Sequence, residues 1–226
     1  MSKFERIGLF GKSQSGKSTM MDRILRGQPR VILFDALPAR AENASREGYV
    51  KIETMIELQE AVRRNYETGF RYWFKPENDE DFLVLALSDL SKFMIDHQDQ
   101  YAAKYGLKNI ADLVFAVDEM ADCYPNHALP KKLNGFSKMC RSGRHSRIHL
   151  IGATQRPAEV GTKFRGQLEK RIFFTLTEPA DLRAIADIGG AQGRMLAEAV
   201  SQLKALEYIR MENGTYTNGK LTFPKA

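Results

Sequence analysis

Short apolar runs alternate along this chain with longer stretches in which apolar residues recur every three to four positions. Continuous or alternating apolar runs predict strands, and the three-to-four spacing predicts helices. Residues 6–10 predict a first strand, and a helix then runs to about Leu25. Residues 30–34 predict a second strand that closes on Asp35, which either faces a ligand or simply ends the strand. Residues 40–48 read as a polar loop, and residues 49–52 as a short strand or loop edge. Thr54-Met55-Ile56-Glu57 has the spacing of a capping box, followed by Met55, Leu58, Val62 and Tyr66 at helical spacing. The run Phe70-Arg71-Tyr72-Trp73-Phe74-Lys75-Pro76 predicts an aromatic strand ended by proline. Its interleaved cations suit either a buried strand or a surface that stacks bases.

A helix starts near Asp79 and places Leu83, Leu87, Leu90 and Met94 on one face. Residues 113–117 are continuously apolar, as in a parallel strand covered on both faces. A helix over about 130–142 and a strand at 148–152 follow. A strand at 171–176 leads into helical segments through about Leu203. Residues 207–221 predict a closing hairpin, with Asn213-Gly214 as its turn and Asn218-Gly219 as a second turn signal. Strands alternating with helices predict a three-layer α/β domain with a mainly parallel sheet. With 226 residues and no linker or repeat, the expectation is a single domain over residues 1–226.

Chemistry enters with the segment between the first strand and first helix. Gly11-Lys12-Ser13-Gln14-Ser15-Gly16-Lys17-Ser18-Thr19 satisfies G-x-x-x-x-G-K-[ST] in full. Glycines let backbone wrap phosphates, and the helix N-terminus aims free N–H groups at them. Lys17 is expected to reach the β- and γ-phosphates of ATP, and Ser18 to ligate Mg²⁺. Asp118-Glu119 closes the most apolar strand. An acid there can hold Mg²⁺ beside the phosphate loop, so Asp118 takes the metal and Glu119 the general-base role. About a hundred residues separate the two motifs, so further strands and helices must lie between them. That spacing suits the P-loop class with an additional strand and a catalytic glutamate. Gln155, in Gly152-Ala153-Thr154-Gln155-Arg156-Pro157, is a neutral donor at a strand end, where a γ-phosphate can be sensed.

Net charge is +6, which suits a polyanionic partner without requiring one. Cys123 and Cys140 have no metal-ligand spacing and are expected to be free thiols. The first residues do not form a signal peptide, and no apolar run approaches the roughly 20 residues that span a bilayer. No N-K-x-D guanine motif occurs. Ile188-Gly189-Gly190-Ala191-Gln192 lies downstream of Asp118, unlike a transporter signature, and predicts a break between helices.

The ordered set of Gly11 to Thr19, Asp118-Glu119 and Ala153-Thr154-Gln155-Arg156-Pro157 resembles the FtsK–HerA superfamily of DNA-pumping ATPases, over about residues 7–176. The small size is similar to that of the genome-packaging ATPases of tailless internal-membrane phages. The resemblance implies a RecA-like ATPase that moves double-stranded DNA without regard to sequence, as a homo-hexameric ring with ATP between subunits. It implies capsid or portal-vertex partners, no membrane span, and a place in the host cytoplasm during assembly or with the virion. It further implies an arginine supplied in trans from Cys140-Arg141-Ser142-Gly143-Arg144-His145-Ser146-Arg147, with Arg144 the best placed and Arg141 in reserve. The loop from Tyr124 to Lys131-Lys132 either faces a DNA pore or is a solvated surface. The alternative to a motor is an ATP-gated assembly or scaffold factor.

Overall fold

The computed structural model describes residues 5–36, 48–76 and 80–223. The loop expected at 40–48 and the helix start expected at Asp79 therefore lie, but for Gly48, outside the described residues.

Among the described residues, nine strands form one sheet: β1 (Arg6–Phe10), β2 (Arg30–Asp35), β3 (Val50–Ile52), β4 (Phe70–Phe74), β5 (Leu113–Asp118), β6 (Ile148–Thr154), β7 (Lys170–Phe173), β8 (Glu207–Glu212) and β9 (Thr215–Lys220). Their spatial order is β3-β4-β2-β5-β6-β1-β7-β8-β9. The first seven strands are parallel, and β8 and β9 run antiparallel at one edge. One strand, β6, separates β1 from β5, so the phosphate loop and Asp118-Glu119 flank the end of β6. This is the P-loop NTPase arrangement with an additional strand.

The continuous apolar runs follow from burial on both sheet faces. Val31, Leu33, Val114, Ala116, Ile7 and Leu9 pack with Met20 and Met21 of α1 (Lys17–Leu25). Ile32, Phe34, Phe115 and Val117 face the opposite way. They pack in one cluster with residues of α2 (Met55–Asn65), α3 (Glu80–Tyr105) and α5 (Gly135–Ser142). The short α4 (Met120–Cys123) follows β5, α6 (Thr162–Arg165) precedes β7, and α7 (Pro179–Gly189) and α8 (Gly193–Ser201) follow it. Among the described residues, no helix is long and apolar enough to cross a membrane. Cys123 and Cys140 are buried, free thiols, and burial pushes both up in pKa.

Most expected elements appear within a residue or two. Thr54 Oγ1 accepts from the Glu57 N–H at 3.3 Å, capping α2. The aromatic strand is buried, and Arg71 ties it down by donating to the carbonyls of Leu25 and Gln28 and to Tyr49 Oη. Asn213 (φ 51°) and Gly214 (φ 75°) make the tight turn between β8 and β9.

Three expectations need correction. The helix expected over 130–142 begins at Gly135, after a separate 3₁₀ turn at Lys131–Leu133. Its start docks on α3, where the Gly135 N–H donates to Ser88 Oγ and a Cβ would meet the Ser88 carbonyl at 2.0 Å. The strand expected over 171–176 ends at Phe173, because the next residues bend beneath the phosphate loop and the Thr175 carbonyl accepts from the Lys12 N–H. Asn218-Gly219 is not a turn. It lies inside β9 opposite Tyr208, whose ring occupies the space a Cβ would need.

Candidate active site

The phosphate loop leaves β1 at the C-terminal edge of the sheet. Its backbone is anchored on β6 and on the residues just after β7: Gly11 N–H donates to the Thr154 carbonyl, and Lys12 N–H to that of Thr175. Gly16 adopts φ +112°, a conformation that favours glycine. A Cβ at Gly11 would lie 2.7 Å from Ser15 Oγ, and one at Gly16 would lie 2.6 Å from Leu221 Cδ1. The glycines thus permit a tight backbone curl on an apolar floor. Ser15 Oγ is buried inside the curl and has no hydrogen-bond partner among the described residues. An orphaned buried hydroxyl just ahead of the α1 N-terminus suits an anion. Lys12, Ser13 and Gln14 form the exposed rim, while Ser18 and Thr19 open α1 and are half-buried.

Lys17 Nζ sits within the curl, donating to the carbonyls of Gly11 (2.7 Å) and Lys12 (2.9 Å). Burial lowers its pKa, and the charges of Glu119 and Asp118 pull it back up. Loop lysine and both acids therefore share one electrostatic environment. Asp118 is 4% exposed and Glu119 7%.

Glu119 holds φ 60° and ψ 73°, an uncommon conformation for a non-glycine residue that tends to mark functional sites. Its Oε1 accepts from Thr154 Oγ1 at 2.7 Å and from the Gln155 N–H at 3.2 Å. Burial raises its pKa, and these two hydrogen bonds oppose the rise. The result is a desolvated carboxylate, fixed in direction and more basic than usual, as suits a proton acceptor.

Two contributors escape a sequence reading. Thr154 orients Glu119 and also accepts from the Arg156 N–H at 3.0 Å, yet by itself it looks like an ordinary polar strand end. Asp181 is fully buried. It accepts from Arg156 Nε at 3.1 Å and from the Ala158 N–H at 3.0 Å, which clamps the segment after Gln155. The only signal for Asp181 was an acid in the first turn of a helix.

Gly11 through Thr19, Asp118, Glu119 and Gln155 thus meet at one end of the sheet. Arg144 does not. It is exposed, in the 3₁₀ turn Gly143–Ser146 that precedes β6, and its guanidinium makes no hydrogen bond or ion pair with the described residues. The seven residues of β6 separate that turn from Gln155, a span of about 20 Å. Arg141 is also exposed, and its Nε donates to the Ser137 carbonyl. Residues 124–126 and 158–161 are zipped together by an isolated bridge from Pro125 to Val160 and by the Asn126 N–H donating to the Glu159 carbonyl. Lys131 and Lys132 remain exposed.

No protein-family model matches the chain. Among curated proteins it is 27% identical over 196 residues to the DNA translocase SftA of Bacillus subtilis, covering 80% of this chain and 19% of SftA. It is 22% identical over 204 residues to the DNA translocase FtsK of Clostridium tetani, covering 85% of this chain and 26% of FtsK. Among solved structures it superposes on the genome packaging NTPase B204 of Sulfolobus turreted icosahedral virus 2, in complex with AMP, with a TM-score of 0.69 at 18% identity. That superposition covers 99% of this chain and 100% of B204. The chain is thus similar in sequence to DNA translocases of the FtsK kind and in fold to a genome packaging NTPase. It spans only about a fifth to a quarter of the curated relatives' length. The similarity in fold to B204 runs across the whole sheet and includes the β8–β9 hairpin.

Proposed function

We propose that this chain hydrolyses ATP to drive double-stranded DNA, and that the DNA is a viral genome entering a preformed capsid. The observation that carries hydrolysis is the carboxylate of Glu119, buried at the end of β5 and aimed by Thr154 beside the phosphate loop. The loop N–H groups and Lys17 cradle the triphosphate, and Ser18 and Asp118 hold Mg²⁺. The metal supplies neutralisation of charge on the phosphoryl oxygens. Glu119 takes the proton from the water attacking the γ-phosphorus as the bond to ADP breaks. Gln155, its N–H already on Glu119, faces the γ-phosphate and ties its presence to the clamp at Asp181. Arg144 serves a neighbouring subunit in a homo-hexameric ring.

The DNA part of the proposal is supported by the relatives named DNA translocases. The packaging part is supported by the end-to-end superposition on B204. Partners at the capsid or portal vertex, and a place in the host cytoplasm or with the virion, belong to the same proposal. A motor that grips any sequence contacts phosphates, so its binding is electrostatic.

Turnover of ATP by the purified chain, with and without duplex DNA, tests this directly. Hydrolysis is expected to rise on adding double-stranded DNA of unrelated sequences alike. The stimulation should fall steeply as salt goes from about 50 to about 200 mM. Turnover indifferent to DNA at low salt would point instead to an ATP-gated assembly factor.

A further inference from the structure

Asp35 ends β2 directly beside Asp118. The two are register partners in the parallel β2–β5 pair, which sets their Cα atoms about 5 Å apart with side chains leaving the same sheet face. That face is the one α1 covers: Val31 and Leu33 before Asp35, and Val114 and Ala116 before Asp118, pack in one cluster with Met20 and Met21. Ser18 lies in the first turn of α1. The second carboxylate therefore stands on the metal-facing side of the sheet, one strand out from the first.

Asp35 is 2% exposed and Asp118 4%. Two buried acids side by side concentrate negative charge at the ends of β2 and β5, where it favours a cation. Asp35 Oδ2 accepts from Trp73 Nε1 at 2.8 Å. Lys51 and Lys75 stand over the Trp73 ring at 5.8 and 5.6 Å, fixing the indole further. Satisfying an indole N–H requires only a neutral acceptor. A carboxylate in that place adds a negative charge near Asp118, and the indole fixes its direction. Outer-shell carboxylates of this kind orient and strengthen metal sites in general.

We propose that Asp35 is a positioning carboxylate of the cation site, raising the affinity of the Ser18–Asp118 pair for Mg²⁺ from outside the ligand shell, with Trp73 as its orienting donor. This rests on Ser18 and Asp118 being the metal ligands.

Binding of a fluorescent ADP is measured against Mg²⁺ concentration, beginning in EDTA, for the full chain and its variants. Asp35→Asn keeps the shape of the side chain and an acceptor for Trp73, so a purely structural Asp35 predicts an unchanged Mg²⁺ midpoint. The proposal predicts a midpoint raised about tenfold with binding in EDTA unchanged. Trp73→Phe is expected to shift the midpoint in the same direction by less. Trp73 is the chain's only tryptophan, so its emission in the parent protein reports on this site alone. That emission is expected to change when Mg²⁺ is added to the ADP-loaded protein, and not in Asp35→Asn. An unmoved midpoint in folded Asp35→Asn overturns the proposal. Should that variant fail to fold, an unmoved midpoint in Trp73→Phe overturns it instead. If the parent chain binds ADP with no dependence on Mg²⁺, and Ser18→Ala changes nothing, the metal-ligand assignment itself falls and takes this inference with it.

Discussion

Arg144→Ala is expected to bind ATP normally yet lose about 10³–10⁵ in turnover, the scale on which arginine fingers act. That corresponds to about 4–7 kcal/mol of transition-state stabilisation. The geometry gives the expectation its form. Arg144 lies at the far end of β6 from Gln155, so it cannot reach the phosphate loop of its own subunit. Its guanidinium is exposed and engages none of the described residues, as a group destined for a neighbour requires. Lys17→Ala is expected to be inactive for a different reason: its pocket fails while its Arg144 is intact. In a mixed ring, an Arg144→Ala subunit with a sound pocket can sit beside a Lys17→Ala subunit that donates its arginine. Mixing the two inactive variants should therefore restore part of the ATPase activity. If the subunits exchange and activity stays at zero at every ratio, Arg144 is not supplied in trans, and Arg141 becomes the candidate.

Glu119→Gln is expected to retain ATP and lose about 10²–10⁴ in turnover, because the amide cannot accept the proton of the attacking water. Its carbonyl oxygen can still accept from Thr154 and Gln155, so the backbone and the clamp should persist. Stability should move the opposite way from activity. Burial raises the pKa of Glu119 in the folded chain, so between its unfolded and folded pKa values the folded state holds more protons. The contribution of this group to stability therefore falls as pH rises through that window and stays reduced at pH 7. Removing the charge should raise the melting temperature near pH 7, and the gain should vanish at a pH below the ordinary carboxylate range. The same shift should carry the acidic limb of the parent enzyme's pH–rate profile above that range. A variant that hydrolyses normally but binds ATP poorly would reverse the roles of Asp118 and Glu119.

Much of this arrangement was legible in the sequence, for identifiable reasons. The segment Gly11–Thr19 is a local motif defined by spacing, so its place between β1 and α1 could be read in advance. Asp118-Glu119 was legible because a continuously apolar run such as residues 113–117 has few places to lie except mid-sheet, with its polar end at the site. Residues that act through distant partners were not legible in this way. Thr154 matters because β6 lies next to β5, and Asp181 because α7 folds back on the segment after Gln155. Asp35 could face a ligand or end a strand, and only the β2–β5 register sets it beside Asp118. The misplaced ends at 130–134 and 174–176 have the same origin. Docking on Ser88 and the demand of Lys12 for a carbonyl override local pattern.

In the proposed function, hydrolysis moves the chain along duplex DNA. The most direct measurement of that movement is displacement of a third strand from a triplex placed at one end of a linear duplex. With ATP, the parent chain should release the third strand, with a delay that grows with the length of duplex it must cross. Glu119→Gln should release none. Robust, DNA-stimulated hydrolysis with no ATP-dependent release at any duplex length would contradict the account.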